Sequence, residues 1–359
     1  MPDLVAARLR AQRLAGAPFA DAVAAVRWFG GVQAQDYPAA KWALGLRLEN
    51  GTDGQIDSLY DAGAILRTHV LRPTWHFVLP EDIRWMLALT GPKIRQGLAG
   101  RYRELGLDGA AVTRARRLFE KALAGGRAMT RPELGEVLHA AGVAPDGQRL
   151  PHLLSSGELD GLLTSGPRQG REHTYALLEE RVPAARALDR EEAIGELARR
   201  YFVSHGPAQL RDFVWWSGLT QVEARRGIAI AGDALQRREI EGAEYWSDAR
   251  LAWPRRGAAR AHLLPNFDEY TVGYTDRSAI LHPDRPFRPE LFAFSSLLAN
   301  AVVIGGQVHG AWRRLTGPRG ITVEVRPLAR LSAAERELIE AAGSRYGRFL
   351  GRPVSLVWP

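Results

Sequence analysis

A chain of 359 residues has room for two or three domains at roughly 150 residues each, and 46% hydrophobic with 25% charged residues is the make-up of a globular protein. It has no cysteine, which excludes disulfides and thiolate-bound metals. The N-terminus lacks an apolar leader core and no apolar run nears about 18 residues, so a cytoplasmic protein is expected. Lys plus Arg number 48 against 40 Asp plus Glu, with a pI of about 10.1. Lys41, Lys93 and Lys121 are the lysines and the rest is arginine. Arginine suits bidentate phosphate contacts; a GC-rich genome also enriches it, and the abundant Ala and Gly fit that explanation. The net charge still favours a polyanionic partner, nucleic acid first.

In chain order, residues 3–14 and Asp21 to Phe29 read as helices. Gly30-Gly31 then breaks the second and opens Val32-Gln33-Ala34-Gln35-Asp36-Tyr37. In an extended segment Gln33 and Gln35 point the same way, so the pair either faces one pocket or is two solvated amides. Lys41 to Arg47 fits helix or strand, and Asp53 to Tyr60 a helix capped by Thr52 or Asp53. Ala64 to Leu79 reads as two strands around a Leu71–Thr74 turn. A helix opens at Pro80, breaks at Gly91-Pro92, and a basic one follows from Lys93 to Leu105.

Val112 to Leu123, a Thr130/Glu133 capping box with its helix, and Gln148 to Leu159 precede a hairpin, 162–165 and 174–178, with Arg168 at its tip. Helix, turn, helix, hairpin is a winged helix-turn-helix order. A third such stretch runs over 190–250. Leu264-Pro265-Asn266-Phe267-Asp268-Glu269-Tyr270 follows, with adjacent carboxylates that in a strand face opposite sides; Asp268 reads as a cap or loop brace. Ala301 to Arg314 and Ile321 to Leu328 are strands joined by Leu315–Gly320. A Ser332/Glu335 capping box opens a helix to about Leu350, and 353–358 is a closing strand.

His69 and His76 lack a ligand spacing, so no metal or other cofactor is expected. No phosphate-cradling glycine motif or nucleophile elbow is present. The two histidines read as ribbon residues, packed or facing phosphate.

Three segments together, Gln33-Ala34-Gln35, Leu66-Arg67-Thr68-His69 with Arg72-Pro73-Thr74-Trp75-His76, and Leu264 to Tyr270, resemble the bacterial AlkZ-type winged-helix DNA glycosylases, the azinomycin-resistance enzymes and their relatives. The resemblance implies an α+β, mainly α fold: three tandem winged helix-turn-helix units in a C-shaped body whose concave basic face holds DNA. The expected boundaries are 1–95, 96–185 and 186–260, with 261–359 completing the cleft. It also implies hydrolysis of the N-glycosidic bond of N7-alkylated purines, including unhooking of interstrand crosslinks. The catalytic pair carries over to Gln33 and Gln35; a related branch has Asp at the second position. The groove-probing hairpin would be the one tipped by Gly317-Pro318-Arg319-Gly320. Candidate DNA contacts are Arg67, His69, Arg72, His76, Arg168 and Arg319, with double-stranded DNA as partner, a monomeric protein and a nucleoid location.

The chemistry is consistent with that. N7 alkylation makes guanine a cationic leaving group, so what remains is placing a water near C1′ and stabilising the sugar cation. A glutamine amide can orient that water but deprotonates it weakly. A bulky or crosslinked lesion cannot enter a tight base-flipping pocket. The rival readings are a non-catalytic winged-helix regulator and an enzyme on another substrate.

Overall fold

The computed structural model describes residues 3–183, 185–253, 257, 259–291, 300–317 and 320–358. The architecture is mixed α/β and about half helical. It divides into two compact units: Met1–Ile56 with Gly195–Trp216 and Thr220–Pro359, and Asp57–Ile194 with Ser217–Leu219.

Helices α1 (Leu4–Ala11) and α2 (Ala22–Phe29) start on Asp3 and Asp21, whose carboxylates accept main-chain N–H groups of the first turn. Gly30, at φ 78°, ends α2 in a conformation that costs glycine little. The chain passes through the two-residue strand β1 (Val32–Gln33) into α3 (Tyr37–Gly45), which Asp36 caps. The 41–47 segment, open between helix and strand in the sequence, is thus largely helical. α4 (Asp53–Asp61) precedes the antiparallel hairpin β2 (Leu66–His69) and β3 (Trp75–Val78).

α5 (Pro80–Glu104) leads to α6 (Gly109–Leu123), β4 (Met129–Thr130), α7 (Arg131–Ala140), α8 (Arg149–Leu159), β5 (Leu163–Ser165) and β6 (Thr174–Leu177), with strand order β4-β6-β5. Phe119, Leu123, Leu134, Leu138, Leu153, Leu154 and Leu163 are buried together as their core. The Thr130/Glu133 capping box forms as predicted. One expectation fails here: α5 runs unbroken through Gly91-Pro92. An internal proline costs about 3 kcal/mol through its missing N–H and a clash with the preceding turn, so packing must outweigh it. α8 supplies that packing, and a Cβ on Gly91 would stand 3.0 Å from the Leu159 carbonyl oxygen.

α9 (Leu178–Arg181), α10 (Arg190–His205), α11 (Leu210–Ser217) and α12 (Gln221–Ala231) precede a third hairpin, β7 (Leu235–Ile240) and β8 (Ala243–Asp248). Then come β9 (Ala261–Leu263), the one-turn helix α13 (Glu269–Val272), β10 (Ala301–Ile304), β11 (Gln307–Gly317), β12 (Gly320–Pro327), α14 (Ala333–Leu350) and β13 (Val354–Val357). Their five-stranded sheet has the order β13-β12-β11-β10-β9, parallel at β12–β13 and antiparallel elsewhere. Trp42 of α3 packs on Tyr346 and Phe349 of α14 and donates its indole N–H to the Leu263 carbonyl at 2.7 Å. No described helix is long and apolar enough to cross a membrane.

Candidate active site around the glutamine pair

The two glutamines stand in different surroundings. β1 ends at Gln33, Ala34 is fully buried, and the chain bends at Gln35-Asp36 into α3. Gln33 is 6% exposed whereas Gln35 is exposed. The period-two rule holds for a continuing strand, and this strand stops two residues short of Gln35. Asp36, the adjoining carboxylate, accepts the Ala39 main-chain N–H at 3.1 Å as the cap of α3.

Behind Gln33 lies a buried polar network. Glu269, 1% exposed, accepts the Gln33 main-chain N–H on Oε1 at 2.7 Å. Its Oε2 accepts from Trp216 Nε1 at 3.0 Å and meets His205 Nε2 at 3.1 Å. The other ring nitrogen of His205 lies 2.8 Å from Ser204 Oγ, and the ring stacks on Tyr201 at 14° and 4.6 Å. Burial raises the Tyr201 hydroxyl well above its ordinary pKa, reinforced by the negative charge of Asp212. Gly273 closes this nest, because a Cβ there would stand 2.6 Å from His205 Cδ2.

Asp268 and Glu269 sit at the start of a helical turn rather than on a strand, so both can be buried with separate partners. Asp268 caps α13 through the Tyr270 N–H at 2.9 Å. It also grips Arg47 with two bonds of 2.8 Å. The residue before them, Phe267, has φ 61°, a left-handed conformation uncommon for a bulky side chain. The cap-or-brace reading of Asp268 agrees with this geometry. His205, Trp216 and Glu269 carried no such assignment from sequence; only the Leu264–Tyr270 motif pointed to their neighbourhood.

The predicted ribbon residues lie in the other unit. His69 Nδ1 pairs with Glu158, whose second oxygen accepts from Trp75 Nε1 at 3.3 Å. Arg67 lies over the Trp75 ring at 4.3 Å and is half-buried, as is Arg72. His76 is fully buried, its Nδ1 2.9 Å from the Thr74 carbonyl. Arg168 reaches Asp57 at 2.9 Å and Asp61 at 2.7 Å, which holds the Asp61 carboxyl below the usual range. Arg319 lies outside the described residues. Among the described residues no group of three His, Cys, Asp or Glu could hold a metal ion.

The fold is shared with a solved structure. The Streptomyces sahachiroi DNA glycosylase AlkZ superposes with a TM-score of 0.77 at 21% identity, covering 99% of this chain and 98% of that one. The sequence model of the family described as DNA glycosylase AlkZ-like matches residues 26–349, and the chain belongs to that family. No curated protein matches the chain. Family membership makes it a DNA glycosylase, a hydrolase acting on DNA.

Proposed function

We propose that this glycosylase hydrolyses the N-glycosidic bond of N7-alkylated purines in duplex DNA, including crosslinked purines, with Gln33 and Gln35 as its catalytic residues. The observation that carries the reading is the amide pair itself. One glutamine is held in a buried nest and the other is open to solvent, while the nearby carboxylates Asp36, Asp268 and Glu269 are engaged in caps and buried bonds. Such a site orients a water through an amide oxygen but has little power to deprotonate it. That matches a lesion whose base is already cationic and leaves without protonation. Catalysis then comes from positioning the water and from stabilising the developing sugar cation. The reaction needs no lyase step, so the enzyme acts as a monofunctional glycosylase.

The element order supports tandem winged-helix units. Helices precede a hairpin three times: α1–α4 before β2–β3, α6–α8 before β5–β6, and α10–α12 before β7–β8. We assign the units to 1–95, 96–185 and 186–260, with 261–359 as the C-terminal portion. A monomer with three such units has a long DNA path without dimerising. Arg67 and Arg72 are the ribbon cations we assign to phosphate, and we assign Arg319 to the groove. His69, His76 and Arg168 serve mainly to hold the ribbon and hairpin through the contacts described above.

Release of free N7-methylguanine from a lesion-bearing duplex tests this, wild type beside Gln33→Ala and Gln35→Ala. Release by wild type and a loss of at least about tenfold (about 1.4 kcal/mol of barrier) in either variant, with DNA binding kept, is the expected result. No release from that duplex or from a crosslinked one refutes the lesion class. Full activity in both variants refutes the roles of the glutamines. Binding should be sequence-indifferent and weaken steeply with salt.

A further inference from the structure

We infer that Glu269 is a positioning residue for the glutamine motif: its buried carboxylate takes the main-chain N–H of Gln33 and so fixes where that side chain stands. The inference rests on the role proposed above for Gln33.

The motif sits on a connection between α2 and α3 whose regular structure is two residues long, so its own strand gives it little rigidity. Precise placement of a catalytic amide needs support from outside. Glu269 lies 236 residues further along the chain, and its Oε1 is 2.7 Å from the Gln33 nitrogen. A charged acceptor makes this bond roughly twice as strong as a neutral one. The carboxylate cannot drift, because Trp216 and His205 hold Oε2 from α11 and α10. Next to it, Asp268 anchors the start of α13 to Arg47. Burying a carboxylate carries a desolvation cost of several kcal/mol before its partners are counted, which a neutral side chain in the same place would avoid. At 1% exposure Glu269 is shielded from solvent, so we assign it no contact with the lesion and no role as a base.

The test is single-turnover base release, with DNA affinity measured separately, for Glu269→Gln, Gln33→Ala and the double variant. Glutamine keeps the shape and removes the charge and one acceptor. A positioning role predicts that Glu269→Gln slows the chemical step at least about tenfold while affinity changes less than about threefold. The double variant should be no slower than Gln33→Ala alone. Glu269→Asp, which keeps the charge but pulls it back by one bond of about 1.5 Å, should also be slow. An unchanged rate in Glu269→Gln, or effects that multiply in the double variant, would overturn the inference. If Gln33→Ala itself is fully active, the reading of the motif fails and the inference falls with it. If Gln33→Ala is inactive and Glu269→Gln is not, the inference alone fails.

Should Glu269→Gln not fold, the wild-type Gln33 amide proton decides in NMR spectra of the full chain. A downfield, slowly exchanging proton that moves upfield in Trp216→Phe supports the contact. An ordinary, fast-exchanging one overturns it.

Discussion

Replacing Asp268 by asparagine should strand a buried cation. Arg47 is 1% exposed and Asp268 is fully buried. The guanidinium donates to both Asp268 oxygens at 2.8 Å, to the Ala43 carbonyl at 2.7 Å, and to the main-chain and side-chain oxygens of Gln12 at 2.9 Å. These five bonds match the five N–H groups of arginine. In Asp268→Asn the carboxamide can keep one oxygen on Arg47 and Tyr270, but its NH₂ then opposes an arginine N–H, and no charge balances the cation. Breaking one half of a buried pair costs about 3–5 kcal/mol. Arg47→Met should also be costly, since it orphans the carboxylate. The double variant removes both charges and should be at least about 2 kcal/mol more stable than the sum of the singles predicts. Guanidinium unfolding followed by tryptophan fluorescence reads all four proteins. A loss below about 1 kcal/mol in Asp268→Asn, or strict additivity in the double variant, would refute the buried-pair argument.

Acid should destabilise the fold before the carboxylates titrate. Burial lowers His262 from 6.5 to about 3, and His173 and His309 to about 4, with nearby arginines adding to the effect. Each folded value lies below the unfolded one, so the unfolded chain takes up protons first. The stability is therefore whole above about pH 6.5 and is lost as pH falls toward 4 to 3. Unfolding measured at several pH values should show this slope, and His262→Gln should flatten it by up to about 1.4 kcal/mol per pH unit; an unchanged slope contradicts the assignment. Gly218→Ala places a Cβ 2.4 Å from the Leu71 carbonyl oxygen at φ 73°, so its melting temperature should drop, with a cost above about 1 kcal/mol. Wild-type melting would show that this turn yields freely. Arg168→Ala should lose about 1 kcal/mol of stability with its two aspartate contacts and leave the salt slope of DNA binding unchanged. A slope smaller by about one would make Arg168 a phosphate contact instead.

Much of the local structure was legible in the chain because its determinants are local. The capping boxes at Thr130 and Ser332 satisfy the donors of their own first turn, and Gly30 stops α2 by its own φ. The hairpin 66–78 could be read from β-branched and aromatic residues on either side of Arg72-Pro73. The Gln33-Ala34-Gln35 motif announced itself through residue type and its glycine break, and with two further segments it pointed to the family that the full comparison bears out.

The tertiary structure decided matters that depend on partners far along the chain. α5 continues through Pro92 because α8 packs on it, and no window around Gly91 contains that information. Gln33 and Gln35 differ in burial because β1 ends where the fold turns into α3, so period two had no strand left to act on. Asp268 and Glu269 looked like a weak carboxylate pair in one strand. The fold sends one to Arg47 and the other to Gln33, across separations of 221 and 236 residues. A buried charge takes its meaning from what surrounds it, and only the folded chain brings those surroundings together.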